Sequence, residues 1–198
     1  MMRKTVLLVF WLLWMPLLLA DSQPGEDAEV PGITEAPPGG DFILHTSKGP
    51  FALKDYRGKV VLLYFGYTKC PDVCPTSLSY LAQAFNELND EELKKVVGVF
   101  VSVDPKRDTF ELLDEYVEYF HPNFIGVTGS EKELSDAAAL YGAQYYEVEL
   151  EDSAFGYAVN HSAATYLIAP NGELRFIFPH GTSPTVISEA IRYVMDGN

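Results

Sequence analysis

Cysteine is nearly absent from this 198-residue sequence, which has two, Cys70 and Cys74, in the stretch "KCPDVCPTSL". Every role that needs a thiol therefore falls to this one pair. The pair suits three kinds of site: a structural disulfide, a redox-active dithiol or a site for a soft metal ion. A structural disulfide would close a very small loop here, and small loops gain the least entropic stabilisation from a crosslink.

Basic residues are also scarce, with 14 lysines and arginines against 28 aspartates and glutamates, for a formal net charge of −14. Such a charge repels nucleic acid and anionic lipid headgroups, so we expect no nucleic-acid partner. It favours a basic protein partner or a cation. An acidic surface that keeps the protein soluble explains much of the same charge.

A long uninterrupted hydrophobic segment is missing. The apolar stretch over residues 5–20 contains Pro16 and is shorter than the ~20 residues of a membrane-spanning helix. Because Arg3 and Lys4 precede it, residues 1–20 are interpreted as a signal peptide or a membrane anchor, and either would export the rest of the chain. Residues 21–40, rich in proline, glycine and acids, are expected to form a flexible linker before a domain over 41–198.

Strand and helix patterns alternate through residues 41–198. The apolar runs over 58–67 and 96–103 are typical of strands buried on both faces, and a helical pattern of apolar residues follows each of them. The order predicts an α/β, thioredoxin-like sandwich, with a central, mostly parallel sheet flanked by helices and an N-terminal β-hairpin. The predicted elements are strands over 58–67, 96–103, 124–127 and 143–150, a hairpin over 164–178, helices over 75–89, 130–141 and 183–195, and a helix capped by Asp108.

The loop that contains Cys70 and Cys74, called the cysteine loop below, directly follows the apolar run over 58–67. It therefore lies at the carboxyl edge of the predicted sheet, where open α/β proteins place their sites. Pro75 is typical of the first position of a helix, so Cys74 is predicted near the N-cap and Cys70 on the preceding loop. A helix N-terminus lowers the pKa of a nearby thiol, and the thiolate is the form that attacks disulfides and binds metals.

Two features favour a metal site over a redox dithiol. Thioredoxin-type oxidoreductases usually have C-x-x-C and a proline before a late strand, whereas this chain has C-x-x-x-C and no proline between Pro122 and Pro170. Instead "NHS" precedes that strand, and His161 is predicted on a loop facing the cysteines. Two thiolates and an imidazole suit Cu(I) with an open position, and Zn²⁺ accepts the same ligands plus water.

The other three histidines have simpler explanations. His121 is predicted at a helix C-terminus, where its cationic form would complement the helix dipole. His45 and His180 fit exposed turn or strand positions. Of the four histidines in the sequence, His161 is the one whose predicted position lies beside the cysteines.

Three stretches, "FGYTKCPDVCPTSL", "FVSVDPKRDT" and "VNHSAATYLIAPNG", together resemble the Sco/SenC family of copper-binding, thioredoxin-fold proteins. The resemblance runs from about residue 41 to the C-terminus. It implies that Cys70, Cys74 and His161 are ligands of copper, as Cu(I) or Cu(II). It also implies a role in assembling the binuclear copper centre of cytochrome c oxidase.

Two positions depart from the pattern of that family. Asn160 stands where an aspartate commonly precedes the ligand histidine, which removes a negative charge and bears on copper(II) affinity or partner recognition. Phe110 stands where a proline often follows "RDT", a change expected to affect helix entry alone. Asp72, between the cysteines, is interpreted either as a residue that tunes the loop or contacts a partner, or as an exposed turn acid.

The resemblance implies a copper metallochaperone, a binding protein rather than an enzyme. Its expected partners are the copper-accepting subunit of cytochrome c oxidase and another copper chaperone. The alternative is a thiol–disulfide oxidoreductase in which Cys70 and Cys74 keep partner cysteines reduced. The two functions are compatible, because a disulfide between these cysteines would consume both thiolates and release the metal. We expect an exported protein, periplasmic or tethered to the outer face of a bacterial inner membrane.

Overall fold

The computed structural model describes residues 37–150 and 156–197. Within these ranges the chain forms nine strands, five α-helices and a short 3-10 helix that follows the second strand. In chain order the strands and α-helices are β1 (Ile43–Thr46), β2 (Gly49–Ala52), β3 (Val60–Gly66), α1 (Val73–Asn86), α2 (Asp90–Leu93), β4 (Val96–Ser102), α3 (Phe110–Phe120), β5 (Phe124–Val127), α4 (Glu131–Leu140), β6 (Tyr145–Glu149), β7 (Tyr157–His161), β8 (Thr165–Ile168), β9 (Leu174–Phe178) and α5 (Pro184–Met195).

A five-stranded sheet in the order β5-β4-β3-β8-β9 forms the centre of the domain. Strands β3, β4 and β5 pair in parallel through helical crossovers, as expected, whereas β8 joins β3 antiparallel and β9 joins β8 antiparallel. The sheet is therefore mixed, with two parallel and two antiparallel pairings. The antiparallel half is the β8–β9 hairpin, whose tight turn forces its strands to run in opposite directions.

Burial explains why the two apolar runs become the middle strands. Every residue of β3 and of β4 is buried, as a sheet covered on both faces requires. Helix α1 contributes Leu78, Leu81 and Phe85 to the same core, and all three are fully buried. Removing a side chain of this size from water contributes about 1.5–3 kcal/mol. The cysteine loop thus lies between two elements that are anchored in the core, β3 and α1.

The start of α3 corrects one prediction. Thr109, not Asp108, is the N-cap, and its hydroxyl accepts a hydrogen bond from the backbone N–H of Leu112. Asp108 is buried, with 1% of its surface exposed. Its carboxylate is used elsewhere, on the cysteine loop.

A second hairpin carries His161. The sequence predicts a strand over 143–150 and a loop at His161, but β6 pairs antiparallel with an additional strand, β7, that ends at His161. Strands β6 and β7 form a two-stranded sheet of their own. The predicted N-terminal hairpin is present as β1 and β2.

The predicted leader over 1–20 and nearly all of the predicted linker over 21–40 lie outside the described residues. In the described part of the chain, no helix has both the length and the apolar character needed to cross a bilayer.

Candidate metal centre

The chain turns sharply between β3 and α1, and this turn holds both cysteines. The N–H of Cys70 donates to the carbonyl of Tyr67 (3.2 Å), which folds the loop back on itself. Helix α1 begins at Val73, so Cys74 lies in its first turn, where backbone N–H groups have no helical partner. One of these, the N–H of Cys74, points at the Sγ of Cys70 at 3.5 Å. Both cysteines are buried free thiols.

The structure brings the three residues predicted to bind metal into one cluster. One ligand atom from each of Cys70, Cys74 and His161 lies within 4.8 Å of the others. The Sγ of Cys74 is 3.2 Å from the Nε2 of His161. The other ring nitrogen, Nδ1, lies 3.2 Å from the carbonyl oxygen of Ser162. When Nδ1 carries the proton and donates it to that carbonyl, Nε2 presents its lone pair to the sulfurs, as a histidine ligand requires.

The two thiols of the cluster have opposite acidities. The pKa of Cys70 is lowered to about 3, chiefly because the Cys74 thiol hydrogen-bonds to its sulfur, and His161 with the N–H groups of Asp72 and Cys74 adds to this against the effect of burial. Burial raises the pKa of Cys74, and the neighbouring Cys70 raises it further. The pair therefore holds one negative charge readily and a second only when a cation compensates for it.

The donor set fits a soft metal ion. Two sulfurs and one imidazole nitrogen are the ligands that Cu(I) and Zn²⁺ accept, whereas Ca²⁺ and Mg²⁺ require oxygen donors. The three donors are buried or half-buried. A cluster of three donors leaves a coordination position for a further ligand, which is the arrangement that allows exchange.

Aromatic rings enclose the imidazole of the cluster. The rings of Tyr64 and Tyr67 meet the His161 ring edge-on, with centroids 6.1 Å and 5.8 Å away. Burial raises the pKa of Tyr64, and the adjacent Cys74 raises it further, so its phenol stays protonated. The two ring contacts restrict how far the imidazole can turn.

Gly66, the last residue of β3, lies directly beneath Cys74. A Cβ at this position would be 2.7 Å from the Sγ of Cys74, 2.9 Å from a ring carbon of Phe100 and 3.0 Å from one of Tyr64. Only a residue without a side chain leaves room for the sulfur. Sequence reasoning did not identify Gly66, although the motif "FGYTKC" contains it.

Asp108 holds the start of the cysteine loop. Sequence reasoning did not identify it as a site residue either. Its carboxylate accepts hydrogen bonds from the N–H of Thr68 (2.9 Å), the hydroxyl of Thr68 (2.6 Å) and the hydroxyl of Ser102 (2.6 Å). A buried carboxylate with three donors fixes the start of the loop that delivers Cys70. The sequence did contain a signal for this role: Thr109, directly after Asp108, can cap the helix, which leaves the Asp108 carboxylate available for other contacts.

The two positions that depart from the Sco/SenC pattern lie outside the cluster, as does the side chain of Asp72. Asn160 is exposed and donates to the Tyr146 hydroxyl at 2.8 Å, and because side chains alternate along a strand it faces away from His161. Phe110 is 37% exposed at the start of α3. Asp72 is exposed and occupies the N-cap position of α1 without a capping hydrogen bond from its side chain.

The three remaining histidines are not in the cluster. His121 is buried, and burial lowers its pKa, so the charged role predicted for it is wrong. Its Nδ1 accepts a hydrogen bond from the N–H of Asn123. His45 is half-buried, with Nε2 3.2 Å from a Glu133 oxygen, and His180 is exposed, with Nδ1 3.0 Å from the Ser77 hydroxyl.

The chain is similar to known proteins in both sequence and fold. The family model described as SCO1/SenC matches residues 31–196. An SCO2-like protein of Rickettsia conorii is 39% identical over 155 residues, which are 78% of this chain and 75% of the relative. The human mitochondrial SCO2 homolog is 37% identical over 182 residues, 90% of this chain and 68% of the relative.

Among solved structures, copper-bound ScoI of Arabidopsis thaliana matches with a TM-score of 0.73 at 37% identity, covering 81% of this chain and 99% of that one. The match confirms the expected thioredoxin-like α/β fold. The match of the family model to nearly the whole described domain, together with these relatives, shows that the chain belongs to the SCO1/SenC family.

Proposed function

We propose that this protein binds copper through Cys70, Cys74 and His161. The observation that carries the proposal is the convergence of two sulfurs and one imidazole nitrogen within 4.8 Å, in a family whose Arabidopsis member has been solved with copper bound. Thiolates bind Cu(I) strongly, and the imidazole makes Cu(II) acceptable as well. The ready negative charge on Cys70 attracts the cation before the second proton leaves Cys74.

The role we propose for the bound ion is delivery. In a metallochaperone copper is cargo, so the site must release it, and a three-donor site with one half-exposed ligand, His161, is open to ligand exchange. Family membership supports assembly of the binuclear copper centre of cytochrome c oxidase as the destination. The partners would be the copper-accepting subunit of that enzyme and another copper chaperone that loads this one.

The domain organisation and location remain part of the same proposal. Residues 1–20 would act as signal peptide or membrane anchor, 21–40 as linker and 41–198 as the copper-binding domain. The protein would then work in the periplasm or on the outer face of a bacterial inner membrane. The human relative is named as mitochondrial.

A second candidate, a thiol–disulfide oxidoreductase, rests on the acidity difference between the two cysteines. Disulfide exchange requires a thiolate at the attacking sulfur, and Cys70 has the lowered pKa while Cys74 retains its proton. In this reading His161 merely adjusts the acidity of the pair. The two candidates thus differ in whether the imidazole is essential.

One experiment separates the two candidates. The copper-loaded protein and its His161→Ala variant are each mixed with the reduced copper-accepting domain of the oxidase, and the copper on each protein is measured after separation. The same proteins are tested, without copper, for reduction of the oxidised acceptor. Transfer that requires His161 supports the metallochaperone. Acceptor reduction that survives His161→Ala, with no copper transfer, would establish the oxidoreductase instead.

A further inference from the structure

The hairpin that carries His161 is attached to the body of the protein in an unusual way. Within the described ranges, β6 and β7 hydrogen-bond to each other and belong to no larger sheet. The backbone ladder that fixes Cys74 through β3 and α1 therefore has no equivalent for His161. Side chains must therefore hold the hairpin in the position that keeps His161 beside the cysteines.

The loop after β4 supplies several of these side chains, and they hold Tyr157, the first residue of β7. Asp104 is 2% exposed, accepts a hydrogen bond from the Tyr157 hydroxyl at 2.7 Å and forms an ion pair with the Nε of Arg107. Arg107 donates from Nη1 to the backbone carbonyl of Tyr157 at 2.8 Å. Its guanidinium also stacks on the Tyr157 ring, 3.7 Å from the centroid. Backbone and side chain of one strand residue are thus held by one acid–base pair.

The same guanidinium also contacts Tyr67, whose ring borders the metal cluster. It lies 5.6 Å from the centroid of the Tyr67 ring, and the Tyr67 ring in turn meets the His161 ring edge-on. Arg107 therefore contacts Tyr157, at the start of β7, and also the Tyr67 ring, which limits the movement of His161 at the end of β7. Lys106 adds an exposed ion pair with Glu147 on β6, which contributes much less because water screens it.

We propose that Arg107 is a positioning residue for His161, holding the β6–β7 hairpin so that the imidazole stays within reach of Cys70 and Cys74. A planar guanidinium is suited to this task because it stacks and donates in several directions at once, which a lysine ammonium cannot do. Without it, the start of β7 loses a hydrogen bond and the closer of the two cation–π contacts of the Tyr157 ring, and the Tyr67 ring loses its contact with the guanidinium. The inference rests on the proposed role of His161 as a copper ligand.

The test is a thermodynamic cycle on the full chain. Cu(I) affinity is measured by competition with a chelator for the reduced wild type, Arg107→Ala, His161→Ala and the double variant. We expect Arg107→Ala to weaken binding by about 10–100-fold, as losses around metal ligands commonly do. In the His161→Ala background, Arg107→Ala should weaken Cu(I) binding by less than about twofold, because the ligand that Arg107 positions is already gone. Equal losses in both backgrounds, or none in the wild type, would overturn the proposal.

A metal-free readout and two further variants keep the test independent of folding effects. In the apo protein, NMR cross-relaxation between the His161 and Tyr67 rings should be lost in Arg107→Ala. Arg192→Ala is the matched control, because Arg192 likewise donates hydrogen bonds to a carboxylate, that of Glu92, and to a backbone carbonyl, that of Glu87. This variant should keep both the contact between the His161 and Tyr67 rings and the Cu(I) affinity. If Arg107→Ala fails to fold, Tyr157→Phe, which removes only the hydroxyl bound to Asp104, should show the same dependence on His161 with a smaller loss.

The outcome also distinguishes this inference from the proposed function beneath it. If His161→Ala binds copper as tightly as the wild type, the three-ligand site is refuted and the inference with it. If His161→Ala weakens binding but Arg107→Ala does not, the site stands and only the positioning role of Arg107 is refuted.

Discussion

Gly66→Ala should weaken copper binding although it replaces none of the three proposed ligands. The added methyl would be 2.7 Å from the Sγ of Cys74, whereas non-bonded heavy atoms settle at about 3.5–4.0 Å. The sulfur or the strand must therefore move by about 1 Å. Phe100 and Tyr64 close the other directions, at 2.9 Å and 3.0 Å, so the methyl has no free space to occupy.

Two losses follow from that movement. Overpacking of a rigid core costs about 1–3 kcal/mol, and a domain of this size loses about 2–4 °C in Tm for each kcal/mol. A metal site tolerates ligand displacements of about 0.2 Å, so a shift of about 1 Å should weaken copper binding by about tenfold or more. Differential scanning calorimetry and competitive Cu(I) titration measure the two effects on the same samples.

Gly98→Ala is the matched control. Its added methyl would overlap the Phe124 ring, which belongs to β5 and packs against Phe85, not against the cysteine loop. We expect it to lower the Tm while leaving the Cu(I) affinity unchanged. The reasoning is refuted if Gly66→Ala binds copper like the wild type, or if Gly98→Ala weakens binding to the same extent.

Three other predictions concern the loop, the pH response and the redox state. Asp108→Asn should lower the free energy of unfolding by about 2 kcal/mol in urea titrations, because an amide cannot accept all the hydrogen bonds that Thr68 and Ser102 donate to the carboxylate. An unchanged midpoint would contradict this. His121 has a folded-state pKa lowered by burial, so the unfolded chain binds more protons below the ordinary pKa of about 6.5, and stability should fall as the pH drops from 7 to 5. His121→Gln should flatten that part of the curve, and an identical slope in both proteins would rule the residue out. Oxidation of Cys70 and Cys74 to a disulfide should release bound copper stoichiometrically, detected with a chromogenic chelator, and copper retained after full oxidation would show that the thiolates are not its ligands.

The parts of the fold that could be predicted from sequence are those where burial leaves a strong pattern. The runs that become β3 and β4 are apolar throughout because both faces of the sheet are covered. The β8–β9 hairpin was also visible, because its turn chemistry is local. The pairing of β8 with β3 was not, since strand direction within a sheet depends on tertiary contacts that no local pattern records.

The strand β7 escaped prediction for a related reason. Its residues alternate only weakly, and its partner is a strand outside the central sheet, so no buried face imposes a period. The proximity of Cys70, Cys74 and His161 could nevertheless be predicted, because thiols are rare and a histidine at the entrance to a late strand lies near them in this fold. Asp104 and Arg107 could not be assigned, since a salt bridge and a cation–π contact leave no spacing rule in sequence.

The most direct test of the central claim is a copper titration of the reduced protein, wild type beside His161→Ala, with His180→Ala as the control histidine. Stoichiometry and absorption are followed together. We predict one copper per chain in the wild type and in the control, with thiolate-to-copper charge-transfer bands that weaken in His161→Ala. Absence of copper from the wild type, or binding indifferent to His161, would contradict it and leave the cysteine pair as the whole of the site.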